Sequence, residues 1–377
     1  MASSPLYFAK VMRWFVSLRP AFKPPNATAL AVGAAVVPAL PLRADEHFRD
    51  SRFKVSRPCS LVRGSRFEVQ GSRFTVLIPM FAIIQKWASF VRFSHTAFAL
   101  PFALAAMAVA ARDNRGWPGW RTFGLILAAM VCARTCAMAF NRIADRKFDA
   151  LNPRTARRHL PTGQINLFSA VTFCVLSGAG LVVVSFLLNP LCYYLSPVAL
   201  IVICFYSLTK RFTDYTHVYL GLALALAPVG AWLAVKGTKV SGWEIAQMLV
   251  LAAVVVLWLV GFDIIYAIQD YEFDRAHGLH SLVVAWGPKN ALQAAFLAHM
   301  IMCGLLLIFG LLCKFRIAYL VGWFLIVACL VLEHWIARRR SLNWINLAFF
   351  RLNAVVSIIF LVVTLAEVVF LGGFRLR

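Results

Sequence analysis

Charge is scarce in this sequence: only 14% of its 377 residues are Asp, Glu, Lys or Arg, while 61% are apolar and 14% aromatic. A soluble fold of this length cannot cover so much apolar side chain, so the composition excludes a soluble globular protein and requires a bilayer. Also missing is the alternation of apolar and polar residues, in segments of about ten, that a transmembrane barrel needs. Runs such as Met248 to Val260 are continuously apolar. Disulfide and zinc spacings are absent as well. Cys132, Cys136, Cys174, Cys192, Cys204, Cys303, Cys313 and Cys329 all lie within or at the ends of apolar runs, where a thiol acts as a small hydrophobe. Acidic residues are few, 15 against 38 Lys and Arg, for a formal charge of +23. No DNA- or RNA-binding motif accompanies that excess, so it is read as headgroup contact and topology signal, with no nucleic-acid partner.

What is present is a series of apolar stretches near residues 95–112, 122–141, 167–188, 191–207, 217–236, 246–268, 290–313, 318–337 and 353–373. The expected fold is therefore all-α, an integral membrane bundle of about nine transmembrane helices, some shorter than the usual ~20 residues. Loop parity orients it. One side carries Arg146, Lys147, Arg154, Arg157, Arg158, Lys210, Arg211, Arg275 and Lys289, the other the smaller set Arg112, Arg115, Arg121, Lys236, Lys239 and Lys314. The positive-inside rule puts the first set in the cytoplasm, which suits the inner membrane of a bacterial cell or, alternatively, of a mitochondrion.

Residues 1–84 differ from the membrane domain expected over 85–377. They are basic, loosely patterned and marked by a short echo, Ser51-Arg-Phe, Ser65-Arg-Phe and Ser72-Arg-Phe. The apolar stretch from Ala27 to Leu40 is too short and too interrupted by Pro and Gly to span. The region is read as a disordered extension, with a targeting segment or an upstream-assigned start as alternatives.

Two carboxylate clusters carry the chemistry: Asn141-Arg-Ile-Ala-Asp145-Arg-Lys-Phe-Asp149 and Tyr266-Ala-Ile-Gln-Asp270-Tyr-Glu-Phe-Asp274. In each, polar residues recur at i, i+4 and i+8, so on a helix both aspartates share a face and can grip one divalent cation. Four spans separate the clusters, an even number, so both belong to one face of the membrane. A helix C-terminus repels carboxylates, and a hard cation offsets that. Mg2+ fits, since it takes one or two carboxylates and completes its octahedron with phosphate oxygens. The alternative is simple pairing with Arg142, Arg146 and Lys147. Arg154 and Arg158 follow in a Pro- and Gly-bounded loop, and Lys210 and Arg211 after the fourth span; arginine forks suit phosphate. Asp263, seven residues before Asp270, lies deeper on a similar face, to hold the buried Arg134 in an ordinary ion pair or, as the family resemblance below implies, to polarise a phenol. Arg92 and His95 open the first span, anchoring the interface or, as the family resemblance below implies, meeting an aromatic carboxylate.

On these motifs the chain resembles the UbiA superfamily of intramembrane aromatic prenyltransferases, on the side of its 4-hydroxybenzoate polyprenyltransferase branch. The resemblance covers about residues 85–373 and rests on Asn141 to Asp149 running into Arg154 and Arg158, on Tyr206 to Arg211, and on Gly261-Phe-Asp263 through Asp274 to Ser281. It implies nine helices around a central cavity, Mg2+ at the aspartates and a polyprenyl tail lying in lipid through a lateral opening; Arg134 also looks like a family position. Two features differ from the benzoate branch. His159 stands where proline is usual after the arginine, and Phe93 to Phe102 looks more like a branch tied to an alternative menaquinone route.

The expected reaction is metal-assisted ionisation of an allylic diphosphate, then capture of the cation by an electron-rich ring carbon. Asp145, Asp149, Asp270 and Asp274 hold the metal, Lys210, Arg211, Arg154 and Arg158 add donors, and Asn141 and Tyr266 orient ligands or bind substrate oxygen. The expected partners are a polyprenyl diphosphate, an aromatic acid and the bilayer. A dihydroxynaphthoate-type acceptor is the alternative to 4-hydroxybenzoate. A membrane transporter is the alternative from another class, though its polar residues would gather near the midplane rather than at one interface.

Overall fold

The computed structural model describes residues 85–91, 96–338 and 351–371. The extension 1–84, together with Arg92 and His95, lies outside the described residues. Among them every regular element is helical: α1 Thr96–Ala110, α2 Trp120–Ala144, α3 Leu167–Leu188, α4 Pro190–Phe205, α5 Thr216–Lys236, α6 Gly242–Ala267, α7 Leu282–Leu312, α8 Ile317–Ala337 and α9 Asn353–Leu365, the last prolonged by a wider-wound turn Ala366–Leu371. Eight of these are long and apolar enough to cross a bilayer, and α1 supplies a shorter ninth apolar helix. The chain is an integral membrane protein of the expected all-α class.

Local sequence explains the boundaries. Asn166 and Asn189 cap α3 and α4 by accepting from the amides of Ser169 and Cys192, and Pro190 opens α4 where its missing N–H costs nothing. Ser241 and Glu244 close a reciprocal capping box on α6. The seventh span, expected from residue 290, begins eight residues earlier. Gly287 takes φ 75° and ψ 157°, outside the helical range, and Pro288 follows it, so a short helix capped by Ser281 precedes a kink and the span runs on beyond it.

The core is aromatic. Phe102 of α1 stacks on Phe360 of α9, with ring centroids 4.9 Å apart, and lies 4.8 Å from Trp258 of α6. Helices α6 and α7, α5 and α6, α2 and α3, and α1 and α5 pack as neighbours. Gly221 lets α5 reach α6: a Cβ there would stand 2.9 Å from the Val256 carbonyl oxygen. At one end of the bundle Lys236 pairs with Glu244 at 2.8 Å and Arg112 donates to the Cys313 carbonyl at 2.6 Å. The opposite end gathers the aspartate clusters.

Candidate active site

Both clusters use the same backbone device. The helix runs to its first aspartate, breaks there, and restarts as a short helix that carries the second. Asp145 ends α2 at φ −89°, ψ 4°, and Arg146–Leu151 follows with Asp149. After α6 the chain tightens through Ile268–Asp270; Asp270 takes φ −100°, ψ 2°, and Tyr271–Ala276 carries Asp274. The unbroken helix expected through each cluster is therefore corrected: it is interrupted at the first aspartate of each. Between the clusters α4 ends in a tight turn, Tyr206–Arg211, that presents Lys210 and Arg211.

Ion pairs tie these segments together. Arg154 donates its Nε to Asp270 Oδ1 at 2.8 Å and a terminal nitrogen to Oδ2, while its other terminal nitrogen reaches the Tyr266 hydroxyl at 2.8 Å. The loop after the first motif is thereby clamped onto the second. Arg158 donates to Asp149 at 2.5 Å, Lys210 to Asp274 at 2.9 Å, and Asn141 to Asp145 at 2.8 Å. Arg142 lies 3.9 Å from Asp149, and Arg211 lies 3.7 Å from Asp145 while donating to the Ala144 carbonyl at 2.7 Å. The pairing alternative is thus met in part by Arg142, but the principal partners come from distant segments. Two unit charges 4 Å apart interact by about 4 kcal/mol near a protein surface, so four carboxylates gathered at one end of the bundle require such company. Burial, and after it the Asp149 carboxylate, push Asp145 up to about 6 despite the neighbouring cations. Burial disfavours the Arg154 charge, yet Asp270 and Tyr266 more than offset this and hold its guanidinium above the usual range.

Of the thirteen side chains singled out from sequence, twelve line a single cavity of about 290 Å3: the four aspartates, Lys210, Arg211, Arg154, Arg158, Asn141, Tyr266, Asp263 and Arg134. Arg92 is the thirteenth, outside the described residues. Two further participants escaped the sequence reading. Asn152 donates to Asp270 at 3.2 Å and accepts from the Arg154 amide at 2.9 Å, fixing that arginine's loop. His217, at the start of α5, pairs with Asp263 at 2.6 Å. Its one signal in the sequence was a histidine in the first turn of an apolar span.

A second cavity, about 270 Å3 and apolar, lies among α2, α3, α4 and α5 and shares Arg134, Tyr206, Leu220 and Leu224 with the first. A charged chamber thus meets a greasy one across a few side chains. Among the described residues no three carboxylate, His or Cys side chains form a ready-made cage for a metal. The aspartates are instead spread along the chamber, and Asp149 Oδ2 is buried without a hydrogen bond. That arrangement fits Mg2+, which binds through one or two carboxylates and fills its remaining positions with phosphate and water oxygens.

Comparison with known proteins agrees with this architecture. The sequence model of the UbiA prenyltransferase family matches residues 99–355. A 4-hydroxybenzoate octaprenyltransferase of Tolumonas auensis is 31% identical over 258 residues, which cover 67% of this chain and 86% of that protein. One from Burkholderia lata is 31% identical over 60% of this chain and 77% of its own length. Among solved structures, the apo structure of a UbiA homolog from Aeropyrum pernix K1 superposes with a TM-score of 0.64 at 33% identity, covering 71% of this chain and 95% of that one. A UbiA homolog from Archaeoglobus fulgidus bound to DMAPP and Mg2+ shares the fold, with a TM-score of 0.58 at 23% identity over 75% and 99% of the two chains.

Proposed function

The chain belongs to the UbiA prenyltransferase family, an aromatic prenyltransferase, and from that premise we propose that it joins a polyprenyl group from an allylic diphosphate to 4-hydroxybenzoate in quinone biosynthesis. The observation that carries this reading is the meeting of two cavities, one lined by five aspartates and six Arg and Lys side chains, the other apolar. A diphosphate with a long hydrocarbon tail has the same two halves.

Asp145, Asp149, Asp270 and Asp274 are the residues that would hold Mg2+, whose charge opposes the negative charge growing on the departing diphosphate. The chain's own cations work alongside. Arg154, Arg158, Lys210 and Arg211 line the same chamber, and their N–H groups are donors for phosphate oxygens. Asn141 and Tyr266 orient Asp145 and Arg154 through their hydrogen bonds. Phe98, Phe262 and Tyr266 face the chamber, where aromatic rings stabilise an allylic cation and exclude the water that would quench it. The tail extends into the apolar cavity between α2 and α5. With positive loops inside, the diphosphate site opens on the cytoplasmic face of the inner membrane.

Membranes containing the protein, given geranyl diphosphate and 4-hydroxybenzoate, are expected to form the ring-prenylated acid, detected by mass spectrometry. Chelation should stop the reaction and added Mg2+ restore it. Product from a dihydroxynaphthoate alone would move the assignment to that acceptor; ion-coupled uptake in vesicles without diphosphate release would replace the enzyme reading with transport.

The tail's position has its own check. Ala227 of α5 lines the apolar cavity beside Ile126 and Leu188, and Ala227→Trp would fill it. Geranyl diphosphate should remain a substrate, whereas turnover of octaprenyl diphosphate should fall about tenfold or more, as for a pocket that can no longer take the added methylenes. An equal effect on both donors would put the tail elsewhere.

A further inference from the structure

Every catalytic-chamber aspartate but one is engaged by a nearby Arg, Lys or Asn: Asp149 by Arg158, Asp270 by Arg154, Asp274 by Lys210, Asp145 by Asn141. Those four carboxylates are thus already committed to neighbouring donors. Asp263 is the exception. Its Oδ2 stands 2.6 Å from Nδ1 of His217, which is 1% exposed and lines the same chamber from α5. With Nδ1–H donating to the carboxylate, the imidazole carries its lone pair on Nε2. That Nε2 is buried and has no hydrogen-bond partner. A buried acceptor without a donor is unfavourable unless something else supplies the donor, and a phenolic substrate brings an O–H into this chamber.

We propose that His217 is a catalytic residue of the transfer, taking the hydroxyl proton of the phenolic acceptor on Nε2 while Asp263 holds the ring by Nδ1. The proposal rests on the aromatic-acceptor reading above. The prenyl C–O bond breaks and its pair leaves with diphosphate; the phenol O–H bond breaks as Nε2–H forms, and the freed electron pair flows through the ring to the ortho carbon, which bonds to the allylic cation. A cyclohexadienone results. Its ring proton passes to the diphosphate, the C–H pair restores aromaticity, and the oxygen takes its proton back from His217. The imidazolium of the intermediate state is stabilised by Asp263, in the manner of a carboxylate-oriented histidine base. No oxidant or further reactant is needed.

The test is turnover of His217→Gln with geranyl diphosphate and a series of 4-hydroxybenzoates whose fluorine substituents make the phenol progressively more acidic. With the parent acid the variant should lose about 10²-fold in kcat, within the range ascribed to a positioned general base, with KM for the diphosphate unchanged. The ratio of wild-type to variant rates should then shrink as acidity rises, because an acidic phenol needs the base less. Imidazole should partly rescue His217→Ala. A ratio that stays constant along the series, or a variant at wild-type rate, overturns the proposal, since a merely structural histidine slows all acceptors alike. If His217→Gln does not accumulate, Asp263→Asn, which keeps the shape but not the charge, is read on the same series. Wild-type enzyme forming no prenylated aromatic at all would defeat the functional reading itself; a normal wild type with a flat ratio defeats this inference alone.

Discussion

Asp270→Ala is expected to abolish prenyl transfer, lowering turnover by roughly 10³-fold or more, the scale of losing a preorganised electrostatic group at a site of developing charge. Three hydrogen bonds converge on this carboxylate, two from Arg154 and one from Asn152. Its removal therefore takes away a candidate metal ligand and also releases the loop that closes the chamber. Asp270→Asn separates the two effects. The amide keeps the shape and one acceptor oxygen but loses the charge, so the loop should stay near its place while catalysis still fails. The bundle should survive both changes, because its aromatic core around Trp258, Phe102 and Phe360 lies elsewhere. Turnover at saturating Mg2+, with a melting curve in detergent for each variant, checks this. Either variant within about tenfold of wild type would remove the second cluster from the metal assignment.

Gly261→Ala should be the most damaging small substitution for stability. A Cβ at Gly261 would stand 2.2 Å from both Cδ2 and Nε2 of His299 and 2.8 Å from its Cε1. The imidazole has nowhere to retreat. Its nitrogens are bound to the Trp258 carbonyl at 3.1 Å and to His334 at 2.9 Å, while Trp258 itself donates to Asn353, and Asn353 to the buried Glu333. The clash thus strikes a polar chain that fastens α6, α7, α8 and α9 together. Overpacking plus a broken buried hydrogen bond puts the cost at roughly 2–4 kcal/mol, or about 3–5 °C in melting temperature for a chain of this length. A double-mutant cycle locates the cause: in a His299→Ala background the same change should cost much less. An undiminished cost there would mean that the collision is not its source.

Much of this protein was readable one residue at a time. Burial in lipid demands long apolar runs, and a run announces itself without reference to the rest of the chain, so the eight long apolar helices and the shorter α1 among the described residues were legible by position. Carboxylates and arginines beside such runs are costly enough to mark a site unaided, and the parity of the spans put the two clusters at one end of the bundle. The backbone break at Asp145 and Asp270 was not legible, because the i, i+4, i+8 pattern is the same whether or not the helix pauses. Nor was the short helix that leads into α7 ahead of the kink at Gly287 and Pro288.

Partnership is what only the folded chain decided. Nothing in the order of residues says that Arg154 would close on Asp270 rather than on a nearer aspartate, or that His217 would meet Asp263 across 46 positions and Asn152 would meet Asp270 across 118. Such pairs exist because helix packing, through contacts such as that of Gly221 with Val256, brings separate segments within hydrogen-bonding range. Hydropathy is a property of each segment and survives unfolding. A hydrogen bond is a property of two, and its partner is chosen by geometry that no single segment contains.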